Sequence, residues 1–314
     1  MKTLKLFDDR VNSDHQLLNK PSKNIHFNRE YKNQQNQIEE LTDRASFLTS
    51  AFKIIESRNR EIYDSLIYAS RIQQALLPST NNIGEIFKNH VLCYMPKDVV
   101  SGDFYWVSSQ NDYSVIVTGD CTGHGVPGAF MSFVGFMLLN TIVNEQHFTN
   151  PSYILHLLHK QMINFFNMHH NEDGEIQDGI ELSICSIHLK TKKLIYAGAN
   201  RPLVYIHNNE LNIIQGDKFG VGGLLSGSKH KFFTTHKLSL EQGDNLYMFT
   251  DGITDQFGGQ HDKKFGKKRL FNLLSEINHL EGNTKSEIII NRFLDWKGKK
   301  DQVDDALLFG MTVE

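Results

Sequence analysis

A heptad repeat without a helix breaker is the feature that most limits how this chain can fold. From Ile38 the sequence continues without Gly or Pro as far as Pro78. Apolar residues that recur at heptad spacing over such a length predict a coiled coil rather than an ordinary surface helix. Ten of the twelve a and d positions are apolar. These positions are Ile38, Leu41, Ala45, Leu48, Phe52, Ile55, Asn59, Ile62, Leu66, Ala69, Gln73 and Leu76.

One polar residue in this seam indicates how the helix pairs. Asn59 occupies an a position, where a single Asn fixes the register of a parallel two-stranded coil. We therefore expect a homodimer formed through residues 38–76. The alternative is a long helix that packs against the following domain of its own chain. Residues 1–37 are polar, show little periodicity and are predicted to be a flexible tail, and residues 38–80 form the coil and linker helix.

Beyond Pro78 the pattern changes to short β-branched runs separated by turns. Strands are predicted at "HVLCYMP", "GDFYWVSS", "DYSVIVTGD", "ELSICSIHL", "KLIYAGA", "LVYIHN", "LNIIQG", "KFFTTHKLSL", "DNLYMFTDG" and "ALLFGMTV". Helices are predicted near residues 126–144, 152–168, 268–280 and 286–294. Tight turns at Asn208-Asn209 and Lys192-Lys193 favour antiparallel pairing. Residues 81–314 are therefore predicted to form one layered α+β domain of two sheets with helices outside.

Charge and cysteine content exclude several classes of protein. The formal net charge is -3, which does not fit a nucleic-acid binder with its usual basic excess. The three cysteines lie far apart and match neither a disulfide framework nor a zinc spacing, so we expect a cytoplasmic protein. The apolar run "FVGFMLL" looks too short to cross a bilayer, and no membrane span is predicted.

Four aspartates share one context, the junction of an apolar strand with a turn. Asp103 precedes a strand, Asp120 and Asp251 end strands, and Asp304 precedes the last strand. If the sheets stack, these strand ends can meet at one edge. Clustered carboxylates stay ionised together only when a cation compensates them, and oxygen ligands suit Mg²⁺ or Mn²⁺. A single Asp of this kind is more often a turn former, so only the four aspartates together indicate a metal site.

Five motifs in order resemble a known family. "SGDFYW", "GDCTGHGVPGAFMS", "YAGANRPL", "TDGITDQFG" and "DDALLFG" are typical of the SpoIIE/RsbU-like branch of the PPM (protein phosphatase 2C) metal-dependent serine/threonine phosphatases. The preceding "ASRIQQALLPS" resembles the linker helix that enters such domains. The resemblance covers about residues 68–314. It implies an α-β-β-α sandwich of two antiparallel sheets flanked by helices, and a phosphomonoester hydrolase that uses two metal ions.

The resemblance also assigns roles to residues of this chain. It implies that Asp120 bridges two Mn²⁺ or Mg²⁺ ions, that the carbonyl of Cys121 ligates one, and that Asp103, Asp251 and Asp304 complete the set. Asp304, rather than Asp305, aligns with the ligand of the family. The water held by the ions would be the nucleophile, so the Cys121 thiol is expected to be a packed side chain.

We hypothesise that His124, which lies between two glycines, is the general acid. Gly123 and Gly125 allow a tight turn near the metal cluster, and Pro127 fits the first turn of the following helix. An imidazole there can protonate the departing serine oxygen, or only position a water.

Other polar residues receive weaker hypotheses. Arg201 is either a phosphate contact or an exposed turn residue. The basic segment "DKKFGKKRLF" could attract an acidic partner, although a solvated helix start is the favoured explanation. Asp178 and Glu181 match the family only loosely and receive no ligand role. The histidines His156, His159, His169 and His170 are assigned to the surface or core, because no third metal ligand lies in register.

The predicted function is hydrolysis of phosphoserine or phosphothreonine on a protein partner. Relatives of this branch act on STAS-type anti-anti-sigma proteins in bacterial signalling, which implies a similar partner here by analogy. The alternative is a catalytically silent phosphatase-fold scaffold that dimerises through its coiled coil.

Overall fold

The structure is a computed structural model that describes residues 21–167, 178–223 and 232–314. Contacts divide the chain into two units, residues 1–65 and residues 66–314. Helix α1 runs from Pro21 to Leu76. The apolar heptad residues before residue 66, such as Leu48, Phe52 and Ile62, are exposed in the single chain.

The helix begins earlier than the heptad pattern indicates. The prediction of a flexible tail over residues 1–37 is wrong for residues 21–37, which are helical. Pro21 suits the first helical position, and no Gly or Pro follows until Pro78, so the polar Asn, Gln and Lys residues continue the helix. Residues 1–20 lie outside the described residues.

The remaining elements alternate between strands and helices. They are α2 (Thr80–Ile86), β1 (His90–Met95), β2 (Phe104–Gln110), β3 (Tyr113–Cys121), α3 (Gly125–Leu139), α4 (Pro151–Asn167), β4 (Gly179–His188), β5 (Lys193–Ala199), β6 (Leu203–His207), β7 (Glu210–Ile214), β8 (Val221–Gly222), β9 (His236–Ser239), β10 (Asn245–Phe249), α5 (Asp251–Asp255), β11 (Phe257–Gly258), β12 (Lys263–Lys264), α6 (Gly266–Ile277), α7 (Gly282–Lys297) and β13 (Ala306–Thr312).

Two antiparallel sheets form the centre of the domain. The first sheet has the strand order β2-β3-β4-β5-β9, with β8 pairing to β4, and the second sheet has the order β1-β13-β10-β6-β7. The β6–β7 hairpin turns at Asn208 and Asn209, whose φ angles of 50° and 64° match a type I′ turn, as predicted. The strand predicted at residues 231–240 is confined to His236–Ser239, and Thr234 before it is held by Asp217 through its backbone N–H and hydroxyl.

Alternation along the strands sends side chains to different layers. On β3, Val115 and Val117 pack against α3 and α4, whereas Ile116 faces the second sheet. The second sheet packs its outer face on α6 and α7, where Leu308 meets Phe293. Each such buried side chain contributes about 1.5–3 kcal/mol. Helix–sheet–sheet–helix layering follows, which confirms the predicted α-β-β-α sandwich.

Helix α3 is longer than the predicted apolar run because a π-helical turn, Asn140–Glu145, continues it. The combined helix of 21 residues is long and apolar enough to cross a membrane by length and composition. The expectation that this run is too short is therefore wrong. Its Met131, Leu139 and Ile142 are buried in the core against the first sheet.

Candidate active site

All four predicted aspartates lie at one edge of the sandwich. Asp103 stands directly before β2, Asp120 near the end of β3, Asp251 two residues after β10 and Asp304 two residues before β13. In an antiparallel sheet, the start of one strand and the end of its neighbour share an edge, and β2–β3 and β10–β13 are such pairs. The stacking of the sheets brings the two edges together.

Arg201 lies at the centre of this acidic edge. It follows β5, and its Nη2 atom donates to Asp120 Oδ2 at 2.5 Å and to Asp251 Oδ2 at 3.0 Å. The same atom lies 2.8 Å from Glu181 Oε2. One guanidinium nitrogen therefore joins carboxylates from both sheets, which shows that Asp120 and Asp251 converge.

The surroundings of Arg201 decide between its two interpretations. The residue is only 8% exposed, so the exposed-turn interpretation is wrong. Burial works to lower the pKa of the guanidinium, but Asp120, Asp251 and Glu181 outweigh it and raise that pKa above its ordinary value. Arg201 is a permanent cation within the acidic edge, and contact with a phosphate remains a prediction.

Glu181 is a member of the site that sequence reasoning passed over. It stands directly opposite Asp120 in the β3–β4 ladder. The Asn200 side chain also donates to it. The pairing of β3 with β4 was the signal available in the sequence, but the register could not be fixed from it. Asp178 lies before β4, where its carbonyl accepts from the Gly223 backbone.

Positive charge at this edge falls short of the negative charge. Asp103 is 2% exposed, and burial followed by repulsion from Asp120 raises the pKa of its carboxyl well above the ordinary value. Thr250 donates to Asp103 Oδ2 at 2.6 Å. Burial raises the pKa of Asp120 to about 7 against the opposing effect of Arg201. Burial also raises the pKa of Asp304. Such crowding favours binding of additional cations.

The adjacent aspartates at the start of β13 differ in what they contact. Asp305 is buried, and its Oδ1 and Oδ2 accept the backbone N–H groups of Lys97 and Gly102, both at 2.7 Å. Asp304 is half-buried and accepts from the backbone of Asp305 at 2.9 Å. Asp305 therefore clamps the 97–102 loop, whereas Asp304 retains oxygen atoms for a ligand.

The β3–α3 loop brings backbone into close contact with the site. Gly123 and Gly125 have φ angles of +83° and +63°, which favour glycine. At Gly128 on α3, a Cβ atom would lie 2.2 Å from the Gly123 carbonyl oxygen. His124 stands between the two left-handed glycines, and its Nδ1 lies 2.8 Å from Asp98 Oδ2.

The Cys121 thiol is buried in the core between the sheet and the helices. Burial raises its pKa well above the ordinary value, so the sulfur is an unreactive packed group, as predicted. Its backbone carbonyl faces Gly102, where a Cβ atom would lie 3.5 Å from the oxygen.

The remaining sequence hypotheses fall outside the acidic edge. The His156 ring stacks with Tyr153 and Phe232, and the buried His159 accepts from the Gly222 backbone. His169 and His170 lie outside the described residues. In the basic segment, Lys264 pairs with Asp255 at 2.7 Å. The exposed basic residues of this segment are Lys263, Lys264, Lys267, Lys268 and Arg269.

The donor set of the acidic edge fits hard divalent ions. Its side chains offer carboxylate oxygens, with neither thiolate nor imidazole among them, and the pKa values of Asp103 and Asp120 are raised by burial and by neighbouring carboxylates. In this conformation, no group of three or more His, Cys, Asp or Glu side chains in residues 21–167, 178–223 and 232–314 surrounds a common point as metal ligands do. Arg201 contacts three of the carboxylates instead.

Solved structures share this architecture. The SiaA-PP2C domain of Pseudomonas aeruginosa is 26% identical, with a TM-score of 0.73 over 82% of this chain and 98% of that one. SpoIIE from Bacillus subtilis, solved as its PP2C phosphatase domain with a regulatory fragment, is 16% identical with a TM-score of 0.56 over 72% of this chain and 61% of that chain. A Mycobacterium tuberculosis protein with RsbU and RsbW domains is 19% identical, with a TM-score of 0.55 over 71% of this chain and 59% of that chain. The last two likenesses show the fold alone. No curated protein sequence matches the chain.

The fold, with its acidic edge, defines the class of the protein as the PP2C-type protein serine/threonine phosphatases. The sequence profile of the Stage II sporulation protein E (SpoIIE) family matches residues 110–314. The chain therefore belongs to the SpoIIE family.

Proposed function

We propose that the acidic edge binds two Mn²⁺ or Mg²⁺ ions and hydrolyses phosphoserine or phosphothreonine on a protein partner. The observation that carries this proposal is the convergence of Asp120, Asp251 and Glu181 on one point, the Nη2 atom of Arg201. The raised pKa values of Asp103 and Asp304 support the same site, because both groups feel neighbouring carboxylates.

Each residue has a role that follows from its surroundings. Asp103, Asp120, Asp251, Asp304 and the carbonyl of Cys121 hold the ions. When bound, the ions supply Lewis-acid charge and lower the pKa of a water. Arg201 uses the guanidinium donors that its carboxylate contacts leave over to bind phosphoryl oxygens, and its Nε is buried without a hydrogen-bond partner among the described residues. His124 delivers a proton from Nε2 to the departing oxygen.

The partner proposed is a phosphorylated regulatory protein of the STAS type. Membership of the SpoIIE family supports a signalling partner, as does the structure in which an RsbU domain accompanies an RsbW domain in one chain. The three cysteines are buried free thiols, which supports a reducing cytoplasm as the location.

Dimerisation through residues 38–76 is proposed for the long helix. The heptad residues of its first unit are exposed in the single chain and would be covered by a second copy. Sedimentation equilibrium tests this: Ile62→Asp is expected to convert a dimer to a monomer, whereas Asp64→Asn, at an f position on the outer face of the coil, is expected to leave the dimer intact. A monomeric wild-type chain would contradict the proposal.

The end of the helix contacts the site, which supports a regulatory role for it. Gln73 accepts from the Ser101 backbone N–H at 3.0 Å and donates to the Ser101 carbonyl at 2.7 Å and to Ser132 Oγ at 3.0 Å. Ser101 lies two residues before Asp103. A change in the helix would therefore move the loop that leads to a proposed ligand.

Hydrolysis of p-nitrophenyl phosphate and of a phosphoserine peptide tests the proposed reaction. Wild type is expected to be active only with added Mn²⁺ or Mg²⁺. Asp120→Asn, which is nearly isosteric, is expected to lower kcat by more than about 100-fold and to weaken Mn²⁺ binding in calorimetry. Asp112→Asn, at an exposed ion pair with Lys190, is the control. A wild-type protein that binds no metal and hydrolyses neither substrate would favour the scaffold alternative.

A further inference from the structure

Asp98 lies beside the acidic edge in contact with His124 and has no role in the assignments above. His124 Nδ1 is 2.8 Å from Asp98 Oδ2. The two side chains are 51% and 47% exposed, so both can be reached by a substrate. Nε2 of His124 has no hydrogen-bond partner in the described part of the chain, so the pair presents a single free ring nitrogen.

The loop that carries Asp98 is fixed on both sides of this residue. Asp305 accepts from the backbone of Lys97 on one side and of Gly102 on the other. Gln73 holds both the N–H and the carbonyl of Ser101. Exposed loop residues rarely have so many buried anchors, and these anchors fix the backbone that carries the Asp98 carboxylate.

The backbone of His124 is fixed as well. The residue lies between Gly123 and Gly125, whose left-handed φ angles set the direction of the turn. A Cβ atom at position 125 would lie 3.2 Å from Asp98 Oδ2. Glycine at 125 therefore serves two purposes, because it allows the turn and leaves room for the carboxylate beside the imidazole.

We propose that Asp98 is a positioning residue that fixes the orientation and tautomer of His124 for protonation of the leaving group. A carboxylate can only accept, so the Nδ1 atom carries a proton and donates it to Asp98. This leaves Nε2 as the nitrogen that meets the substrate. The inference rests on the proposed function and adds a residue to it.

The step balances as follows in the hydrolysis of a phosphoserine. The bond between phosphorus and the serine oxygen breaks, and its electron pair stays on that oxygen. The oxygen takes the Nε2 proton of the imidazolium form of His124, which carries a proton on each ring nitrogen. Water forms the new bond to phosphorus, and a proton of that water restores His124 through solvent. His124 keeps its Nδ1 proton throughout, in a hydrogen bond that Asp98 accepts, and Asp98 is not itself consumed.

Substrates with different leaving groups test the inference. A serine oxygen needs protonation as it departs, whereas p-nitrophenolate is a stable anion that does not. Asp98→Ala is expected to lower kcat on a phosphoserine peptide by about tenfold and to leave kcat on p-nitrophenyl phosphate within about twofold. Asp98→Asn retains an oxygen acceptor for the Nδ1 proton and is expected to recover most of the loss. KM is expected to change little.

The matched control is Asp112→Ala. Asp112 is 47% exposed and pairs with Lys190 at 2.8 Å, as Asp98 pairs with His124. Exposed ion pairs contribute little to stability, so both alanine variants are expected to fold as wild type does. An equal effect of the two variants on the phosphoserine peptide would overturn the positioning role.

A second measurement needs neither metal nor turnover. Long-range ¹H–¹⁵N spectra of protein labelled with ¹⁵N-histidine report which ring nitrogen carries the proton, and the loss of signals in His124→Gln assigns them. In EDTA, neutral His124 of wild type is expected to be protonated on Nδ1, and Asp98→Ala to shift the proton toward Nε2. A wild-type His124 protonated on Nε2 would overturn the inference, whatever the activity.

The outcomes separate this inference from the proposed function. If wild type shows no metal-dependent hydrolysis but the spectra show Nδ1 protonation that depends on Asp98, the reaction assignment fails and the positioning stands. If wild type is active and Asp98→Ala equals wild type on both substrates, the positioning fails and the phosphatase assignment stands.

Discussion

Replacing Asp304 and Asp305 by asparagine, one at a time, tests which of the two holds the backbone before β13 and which is available to a metal ion. The two residues are adjacent and chemically identical, yet only Asp305 is buried with both carboxylate oxygens accepting backbone N–H groups at 2.7 Å. The Asp304 side chain accepts the backbone N–H of Asp305. The amide oxygen of an asparagine at position 304 can accept the same N–H. Asparagine at position 305 can accept one of the two N–H groups, and its amide NH₂ then faces the other.

The expected cost follows from that geometry. An unsatisfied buried N–H costs about 1–3 kcal/mol, and the remaining bond loses its charge assistance. Asp305→Asn is therefore expected to destabilise the domain by about 3 kcal/mol, which corresponds to a Tm lower by about 6–12 °C for a domain of this size. Asp304→Asn removes a charge repelled by Asp251 and Asp305 and is expected to change stability by less than about 1 kcal/mol.

Urea unfolding in EDTA measures both variants without metal, and Mn²⁺ calorimetry follows. Asp305→Asn is expected to lower the midpoint with an unchanged m value. Asp304→Asn is expected to keep the midpoint and to weaken Mn²⁺ binding. The reasoning is refuted if Asp304→Asn unfolds earlier than Asp305→Asn, because Asp305 would then not be the clamp.

Three further expectations follow from the same structure. Gly128→Ala places a Cβ atom 2.2 Å from the Gly123 carbonyl oxygen and is expected to lower the free energy of unfolding in urea by about 2–3 kcal/mol. Gly84→Ala on α2, where the nearest atom would lie at 3.7 Å, is expected to be neutral or stabilising, and equal effects of the two variants would contradict the close contact. Lys285 is buried, and burial lowers its pKa from 10.5 to about 8, so the native state loses the lysine proton at lower pH than the unfolded state does. Wild type is therefore expected to gain stability relative to Lys285→Met as pH rises from about 8 to 10, by up to about 1.4 kcal/mol per pH unit. A stability difference that does not depend on pH would contradict the shift. Gln73→Leu removes three hydrogen bonds around Ser101 and is expected to cost about 2 kcal/mol in the same unfolding assay, and an unchanged midpoint would show that the helix end is not held there.

The layer order of the domain could be predicted, because the alternation of buried side chains along the strands and the residues at the turns determine it. Val115, Ile116 and Val117 alternate between two cores as a half-buried strand requires, and Asn208-Asn209 forms the expected hairpin. The start of α1 could not be predicted, because residues 21–37 lack an apolar stripe and their helicity reflects propensity and continuity alone.

The acidic side chains of the site could be predicted in part. Asp103, Asp120, Asp251 and Asp304 stand where strands end, and the structure brings these ends to one edge. Glu181 could not be predicted, because its membership depends on the β3–β4 register that pairs it with Asp120.

The partner of His124 lay beyond sequence reasoning for a related reason. Asp98 contacts His124 across the chain through a loop whose path is fixed by Asp305 and Gln73. The partners are 26 positions apart in the sequence, and no periodicity joins them. Only tertiary structure shows that this carboxylate faces this ring.

Anomalous diffraction from crystals grown with Mn²⁺ examines the central claim at atomic level. Two manganese peaks are expected among Asp103, Asp120, Asp251 and Asp304, about 3.5–4 Å apart, with loss of both in Asp120→Asn. Manganese bound elsewhere, in crystals of a protein that still hydrolyses phosphoserine, would contradict it.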